Sequence, residues 1–395
     1  MSADFKLFYT CAILIAIGIV FSLSLSVFTV LYYDYGKYHF FVRQLLVGFV
    51  GIMIIWLFSK LDPDQKVFGE VSMFEFVGFT LFFGSIILLI AMQFMPSSLA
   101  PITGGAKRWI RLGVVSLSPV EFFKVGFIFF LAWSFTRKID DTQKRLGEEF
   151  KLLMPYFVLF GAFVVFLVGI LQKDLGQVVV LGFVLMILAT FAGTSKKLFV
   201  LSGIMALFLF VLLIFTQPHR IKRLESWWIV NQDFILKFFP QDLADMLRLT
   251  SGEEPYQITH SLNAIYHGGF FGVGLGNGTF KLGFLSEVHT DFVLAGIAEE
   301  IGFVGILGIT ALFLFMVFRI LRISARSENK SYHLFTLGIG TMITLAFIIN
   351  AYGITSISPI KGIAVPFLSY GGSSILALCV GIGMVLMISK KANLR

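Results

Sequence analysis

Acidic side chains are scarce in this 395-residue chain, which carries 23 Asp and Glu. Several of them gather at one place. The sequence Ser-Glu-Val-His-Thr-Asp-Phe, residues 286–292, runs straight into a long apolar segment that itself holds Glu299 and Glu300. An ionised group inside a bilayer is costly, so it has a function or a partner. A carboxylate near its ordinary pKa of about 4 is ionised at neutral pH and able to accept a proton. Asp291, at the entrance of the segment, is therefore the first candidate for the chemistry. As a helix of about 28 residues the segment would be ~42 Å long, against a hydrocarbon core of ~30 Å, which leaves Asp291 in the headgroup zone. Glu299 would lie ~12 Å deeper and about 80° round the axis. Thr290 and Asp291 also suit the N-terminus of a helix, where negative charge is favourable, and that role is compatible with catalysis. Glu299 and Glu300 stay open between direct chemistry and buried pairing with a cation from another helix.

Cations supply the second constellation. Residues 104–113, Gly-Gly-Ala-Lys-Arg-Trp-Ile-Arg-Leu-Gly, place Arg108 and Arg111 around Trp109. Arginine binds phosphate oxygens in bidentate fashion; an aromatic-belt anchor with snorkelling cations is the other reading. Glu121 and Lys124, three apart at the start of a span, can pair with each other. Lys361 stands in Ser-Pro-Ile-Lys-Gly, 358–362, followed by Pro366 and by Ser369-Tyr370-Gly371-Gly372-Ser373-Ser374. Such breaks at membrane depth line a cavity, or they allow close packing through small residues.

Between Gly268 and Gly283 there are seven glycines. Without a strand-to-helix context or a following Gly-Lys-Ser/Thr they do not make a nucleotide loop, and turns or close backbone approach account for them better. Gln257 and Ser261, just upstream, can donate hydrogen bonds. The histidines show no metal-ligand spacing. Residues 172–177 form a tight polar turn.

The elements that must hold these groups are membrane spans. The chain is 57% hydrophobic and 14% charged, with a mean hydropathy of +0.89, which describes a polytopic membrane protein. Cys11 and Cys379 lie in apolar segments at opposite ends of the chain and form neither a disulfide framework nor a metal site. The net charge of +8 fits basic cytoplasmic loops and not nucleic-acid binding. About ten helices are expected, near 8–31, 41–59, 72–94, 117–135, 153–171, 175–193, 197–215, 291–318, 333–355 and 368–389. Basic residues cluster at 137–151, 196–197, 319–330 and 390–395, on the side of both termini, so that side is cytoplasmic. Lys107, Arg108, Arg111 and Lys361 then face outward against the trend. The chain reads as one membrane domain, residues 1–395, with a large extracytoplasmic loop at 216–290 that includes an interfacial amphipathic helix.

These motifs, in this order, resemble the SEDS family of bacterial cell-wall proteins (shape, elongation, division, sporulation) over nearly the whole chain. The resemblance rests on Lys107–Gly113, Ser118–Lys124, Gln172–Gly176, Tyr256–Ser261, Gly272–Gly278, Glu287–Phe292, Glu299–Gly302 and Pro366–Ser374. The chain departs from the family pattern at Ser118, Val120, Lys173, Ser286 and Ser358–Ile360. It looks more like the division branch, with the elongation branch as the alternative. The resemblance implies an inverting peptidoglycan glycosyltransferase that polymerises lipid II. Asp291 would be the general base on the acceptor sugar hydroxyl. Lys361, Arg108 and Arg111 would stabilise the undecaprenyl-pyrophosphate leaving group, and phenylalanines would line a groove for the lipid tail. Trp109, Gln257, Ser261, His289 and Ser369 would bind substrate, with Glu299, Glu300, Glu121 and Lys124 as support. It implies a divalent cation (magnesium or manganese) without a nucleotide. Implied partners are a class B penicillin-binding transpeptidase and other division proteins, at a septum in the inner membrane. A lipid II flippase and a docking scaffold without catalysis are the rival readings.

Overall fold

A computed structural model describes residues 3–113, 115–139, 146–215, 218–249, 256–285 and 288–394. Ser286 and Glu287 of the acidic motif, and Lys144 and Arg145 of a basic loop, lie outside these. Among the described residues nine helices are long and apolar enough to cross a bilayer, and a tenth, Leu175–Phe191, is apolar but shorter. In chain order the helices are α1 (Phe5–Leu25), α2 (Val27–Tyr32), α3 (His39–Lys60), α4 (Met73–Phe94) and α5 (Pro119–Lys138). Then come α6 (Leu146–Leu159), continued as a π-helix over Phe160–Leu171, α7 (Leu175–Phe191) and α8 (Lys196–Phe215). The long connection holds α9 (Pro218–Ile235), α10 (Gln241–Leu247) and α11 (Tyr256–Gly268). The last three are α12 (Val293–Ala325), α13 (Lys330–Ile354) and α14 (Gly372–Ser389).

Phenylalanine fills the interior. Phe123, Phe127, Phe129 and Phe135 on α5 are fully buried. Phe129 meets Phe74 and Phe79 of α4 edge-to-face at 5.0 and 5.1 Å, a geometry that adds to the burial of the rings. The α4–α5 contact is close: a Cβ at Gly126 would fall 2.5 Å from the Phe82 nitrogen.

Both termini lie at one end of the bundle. Asp4 accepts from Arg319 at the end of α12 and its backbone N–H donates to Ser389 at the end of α14, 3.0 Å. Lys390 donates to the Leu61 carbonyl, and Lys391 pairs with Asp64 at 2.9 Å. Lys330 reaches the Ile139 carbonyl. The basic stretches at 319–330 and 390–391 thus share the end that holds the N-terminal segment.

Two differences from the expected spans bear on the site. The helix expected from 291 begins at Val293, with Phe292 in the cap position and no side-chain cap bond. Asp291 lies one residue before the cap position. The same helix breaks at Gly302 (φ 67°, ψ −170°). A Cβ there would stand 2.3 Å from the Gly272 nitrogen: the glycine-rich segment crosses the helix at the kink. It also takes over the freed backbone groups. Val273 and Gly274 donate to the Glu299 and Glu300 carbonyls at 3.0 and 2.9 Å. Phe303 and Val304 donate to the Gly269 and Phe270 carbonyls at 3.0 and 3.1 Å. A break inside an apolar bundle is tolerated when neighbouring backbone satisfies it in this way. The glycines are there for backbone approach, and no phosphate loop is formed.

Candidate active site

The site is built where α12, α13 and the 355–371 loop converge. Asp291, Asn350, Gly353, Ile354, Lys361, Gly362 and Ile363 line one small cavity. Asp291 and Lys361, seventy residues apart in sequence, therefore share it. The contact is tight at Gly362 (φ 61°): a Cβ placed there would be 2.9 Å from Asp291 Oδ2. Only a residue without a side chain brings this backbone against the carboxylate at that dihedral.

Main-chain ties fix the segment around Asp291. Asn350 on α13 donates through Nδ2 to the Asp291 carbonyl at 2.7 Å and to the Ile363 carbonyl at 2.8 Å. The Ser369 hydroxyl donates to the Thr290 carbonyl at 2.6 Å while accepting from the Val365 N–H at 2.8 Å. Tyr370 N–H donates to the His289 carbonyl at 2.8 Å. The His289 ring is buried against Phe40 at 5.1 Å. Residues 289–291 are thus bound to both sides of the broken loop at 363–370.

Lys361 is partly buried, with Nζ 5.0 Å from the centre of the Phe210 ring on α8. Burial, and then the neighbouring Arg223 and Arg220 charges, lower its pKa to about 8. These two arginines come from α9. Arg220 is buried and donates to the Leu213 carbonyl at 2.6 Å and the Gly169 carbonyl at 3.1 Å; desolvation lowers its pKa too. Sequence reading missed Arg220, Arg223 and Asn350. The two arginines sit in a long segment with scattered charges, and only the fold shows which of those charges act on Lys361. A single Asn near the end of an apolar helix carries no signal in one sequence.

The cations expected at 107–111 lie in and between two short antiparallel hairpins, Ile102–Lys107 and Ile110–Leu117, and make contacts of their own. Lys107 Nζ donates to the Gln93 and Met95 carbonyls at 3.0 and 2.5 Å, which closes the end of α4. Arg108 Nε donates to the Gln172 carbonyl at 2.8 Å. Arg111 and Trp109 are exposed. Asp174, in the same turn as Gln172, accepts from the Gln177 N–H at 3.2 Å and starts α7. Burial raises its pKa against the opposing pull of that bond, Arg108 and Lys124. Glu121 and Lys124 pair at 2.9 Å. With Gln177 and Ser374 they line a second cavity, and Ile363 lines both.

The remaining residues tie helices together. Ser261 donates to the Ile354 carbonyl at 2.9 Å, joining α11 to α13; Gln257 is exposed one turn earlier. The Glu299 carboxylate accepts from the Thr279 and Phe280 N–H groups at 2.6 and 3.2 Å and lies 3.0 Å from His267 Nδ1. Glu300 accepts from Lys281 and Ser24, each at 2.5 Å, in a largely buried cluster. Both glutamates pin the 273–281 segment to α12 beside the kink. Among the described residues no three His, Cys, Asp or Glu side chains gather as a metal cage, so the implied divalent cation has no ready-made set of protein ligands among them.

The chain is similar to known proteins over nearly its whole length. Residues 5–394 match the family described as Cell cycle protein, FtsW/RodA/SpoVE. A Helicobacter pylori protein named "Probable peptidoglycan glycosyltransferase FtsW" is 47% identical over 394 residues, 99% of each chain. The Bacillus subtilis "Stage V sporulation protein E" is 31% identical over 390 residues, 98% of this chain and 97% of that one. Among solved structures, a chain of a peptidoglycan synthase complex superposes with TM-score 0.70 at 22% identity, covering 99% of this chain and 98% of that one. Thermus thermophilus RodA superposes with TM-score 0.64 at 21% identity, over 100% and 98% of the two chains.

Proposed function

The chain belongs to the FtsW/RodA/SpoVE family of cell cycle proteins, and we propose on that premise that it is a peptidoglycan glycosyltransferase that polymerises lipid II during septal wall synthesis. The observation that carries the mechanism is the cavity shared by Asp291 and Lys361, with Gly362 against the carboxylate. Asp291 takes the proton of the acceptor sugar's 4-hydroxyl. The hydroxyl oxygen attacks C1 of the donor sugar from the face opposite the diphosphate. A new C1–O bond forms, the bond from C1 to the diphosphate oxygen breaks with its electron pair, and the configuration inverts. Negative charge grows on the departing undecaprenyl diphosphate, and pre-placed cations stabilise it.

Lys361 is the cation that shares the cavity with the base. With a pKa of about 8 it is roughly nine-tenths protonated at pH 7. Arg223 and Arg220 stand behind it, and an incoming diphosphate relieves the repulsion among the three. Arg108 and Arg111 add positive charge from the hairpin segment. This accounts for cations on the face that charge asymmetry would leave poor in them. The protein works in the cytoplasmic membrane with both termini inside, at the division site, beside a class B penicillin-binding transpeptidase that cross-links the strands it makes. The division role follows the names of the more similar relatives rather than any residue of the site.

The test is polymerisation of labelled lipid II by the purified chain reconstituted with its transpeptidase partner. Long glycan strands are expected. Transport of lipid II across vesicles without strand formation would favour the flippase reading and overturn this one.

A further inference from the structure

The carboxamide of Asn350 is only half used by the protein. Both Nδ2 hydrogens go to carbonyl groups, of Asp291 and Ile363. Two acceptors on one side fix which amide atom is nitrogen, since Oδ1 in its place would face two carbonyl oxygens. Oδ1 is then left without a hydrogen-bond partner among the described residues, on a side chain only 6% exposed. A buried acceptor left unpaired is unfavourable, and such groups in folded proteins call for an explanation. The explanation here is positional. Asn350 lines the cavity that holds Asp291, Lys361 and Gly362.

We propose that Asn350 Oδ1 is a substrate-binding atom that accepts a hydrogen bond from a hydroxyl group of the acceptor sugar, while Nδ2 clamps the Asp291 main chain to the Lys361 loop. One side chain then sets two distances at once: base to loop, and sugar to base. A sugar offers a hydroxyl beside the one that reacts, and an uncharged carbonyl can hold it without competing for the proton that Asp291 removes. Lysine and arginine have no lone pair to give, so the cations of the site cannot play this part. The inference rests on the reading of Asp291 as base for what the sugar is held against, but not for the binding itself.

The experiment measures binding and turnover separately. Labelled lipid II is titrated onto the full chain in the Asp291→Asn background, with Asn350 intact or replaced by Leu or Asp. Asn350→Leu removes the acceptor and the clamp; Asn350→Asp, held protonated by burial beside two carbonyl oxygens, keeps an acceptor oxygen and loses one of the two clamp bonds. Leu is expected to weaken binding about fivefold, the worth of one hydrogen bond, and Asp to stay within about twofold of the intact amide. With Asp291 unmutated, both variants are expected to lose turnover by about 10- to 100-fold, as the base shifts. Equal affinity for the Leu and Asn350 forms, or the same affinity for the Leu and Asp forms, overturns the proposal. Should the Leu variant fail to fold, judged by its melting curve, Asn350→Ala takes its place in the same comparison. A fully active Asp291→Asn enzyme would sink the base reading, whereas the binding difference would still decide the role of Asn350.

Discussion

Replacing Gly362 with alanine tests the contact on which the site is built. The new Cβ would stand 2.9 Å from Asp291 Oδ2, where ordinary van der Waals contact begins at 3.4 Å. The carboxylate must therefore rotate away or the loop must yield by about half an ångström, and either shift moves the base relative to Lys361. Asp291 is tied through its carbonyl to Asn350, and the loop is tied through Ile363 to the same amide. A shift of ~1 Å at a reacting group can cost about 100-fold in rate, so half that shift is expected to cost on the order of tenfold in turnover. The φ of 61° at Gly362 adds about 1–2 kcal/mol of backbone strain for any residue with a Cβ. A control separates strain from contact. Gly69 has a φ of 53° and nothing within 4 Å of where its Cβ would stand, in a hairpin at the end of the molecule opposite Asp291. Gly69→Ala should lose a similar stability and keep its rate. The assay is the initial rate of strand formation from lipid II at saturating substrate, with melting temperature recorded for each variant. A Gly362→Ala enzyme as fast as Gly69→Ala would refute the reasoning, because the carboxylate would then not depend on the loop.

Three further outcomes are expected. Because burial lowers the Lys361 pKa to about 8, the lysine loses its charge as pH rises through 8; polymerisation should fall there, and Lys361→Arg should move that alkaline limb up by more than about one unit. Arg223→Ala removes a like charge that disfavours protonated Lys361, so the limb should shift upward while the rate at neutral pH falls, and a limb that moves down would contradict the assigned proximity. Lys281 and Glu300 pair at 2.5 Å with side chains 2% and 0% exposed. Lys281→Met alone should destabilise by about 3–5 kcal/mol by stranding the carboxylate, and the double variant Lys281→Met/Glu300→Leu should recover most of that loss in a denaturation series.

Much of the architecture is legible in the sequence because bilayer thickness sets a strict length on apolar runs. The expected helices appear, with ends that shift by up to seven residues. The basic stretches at 319–330 and 390–391 gather with the N-terminal segment at Asp4, in line with the charge asymmetry. What the sequence leaves hidden is where chain crosses chain. The run entering α12 reads as one helix from 291, yet it starts two residues later and breaks at Gly302. The cause lies thirty residues upstream, in the glycines that carry the replacing hydrogen bonds. The same limit applies to the site. Asp291 and Lys361 stand out as charges in apolar surroundings, and the cavity joins them. Arg220 and Arg223 are ordinary residues of a polar helix until the fold brings their charges within electrostatic reach of Lys361. Ser261 and Ser369 illustrate the converse. Hydroxyls that look suited to substrate are occupied by the main chain of neighbouring segments, and nothing local to either residue reveals those partners.

Asp291 is the centre of the account, and its side chain is tested most directly by changing one atom. Asp291→Asn keeps the shape of the carboxylate and removes its ability to take a proton. Strand formation by the reconstituted enzyme should fall by about 100- to 10,000-fold, the usual contribution of a general base, while affinity for labelled lipid II stays within a few-fold of the unmutated chain. Polymerisation at the unmutated rate would contradict the account.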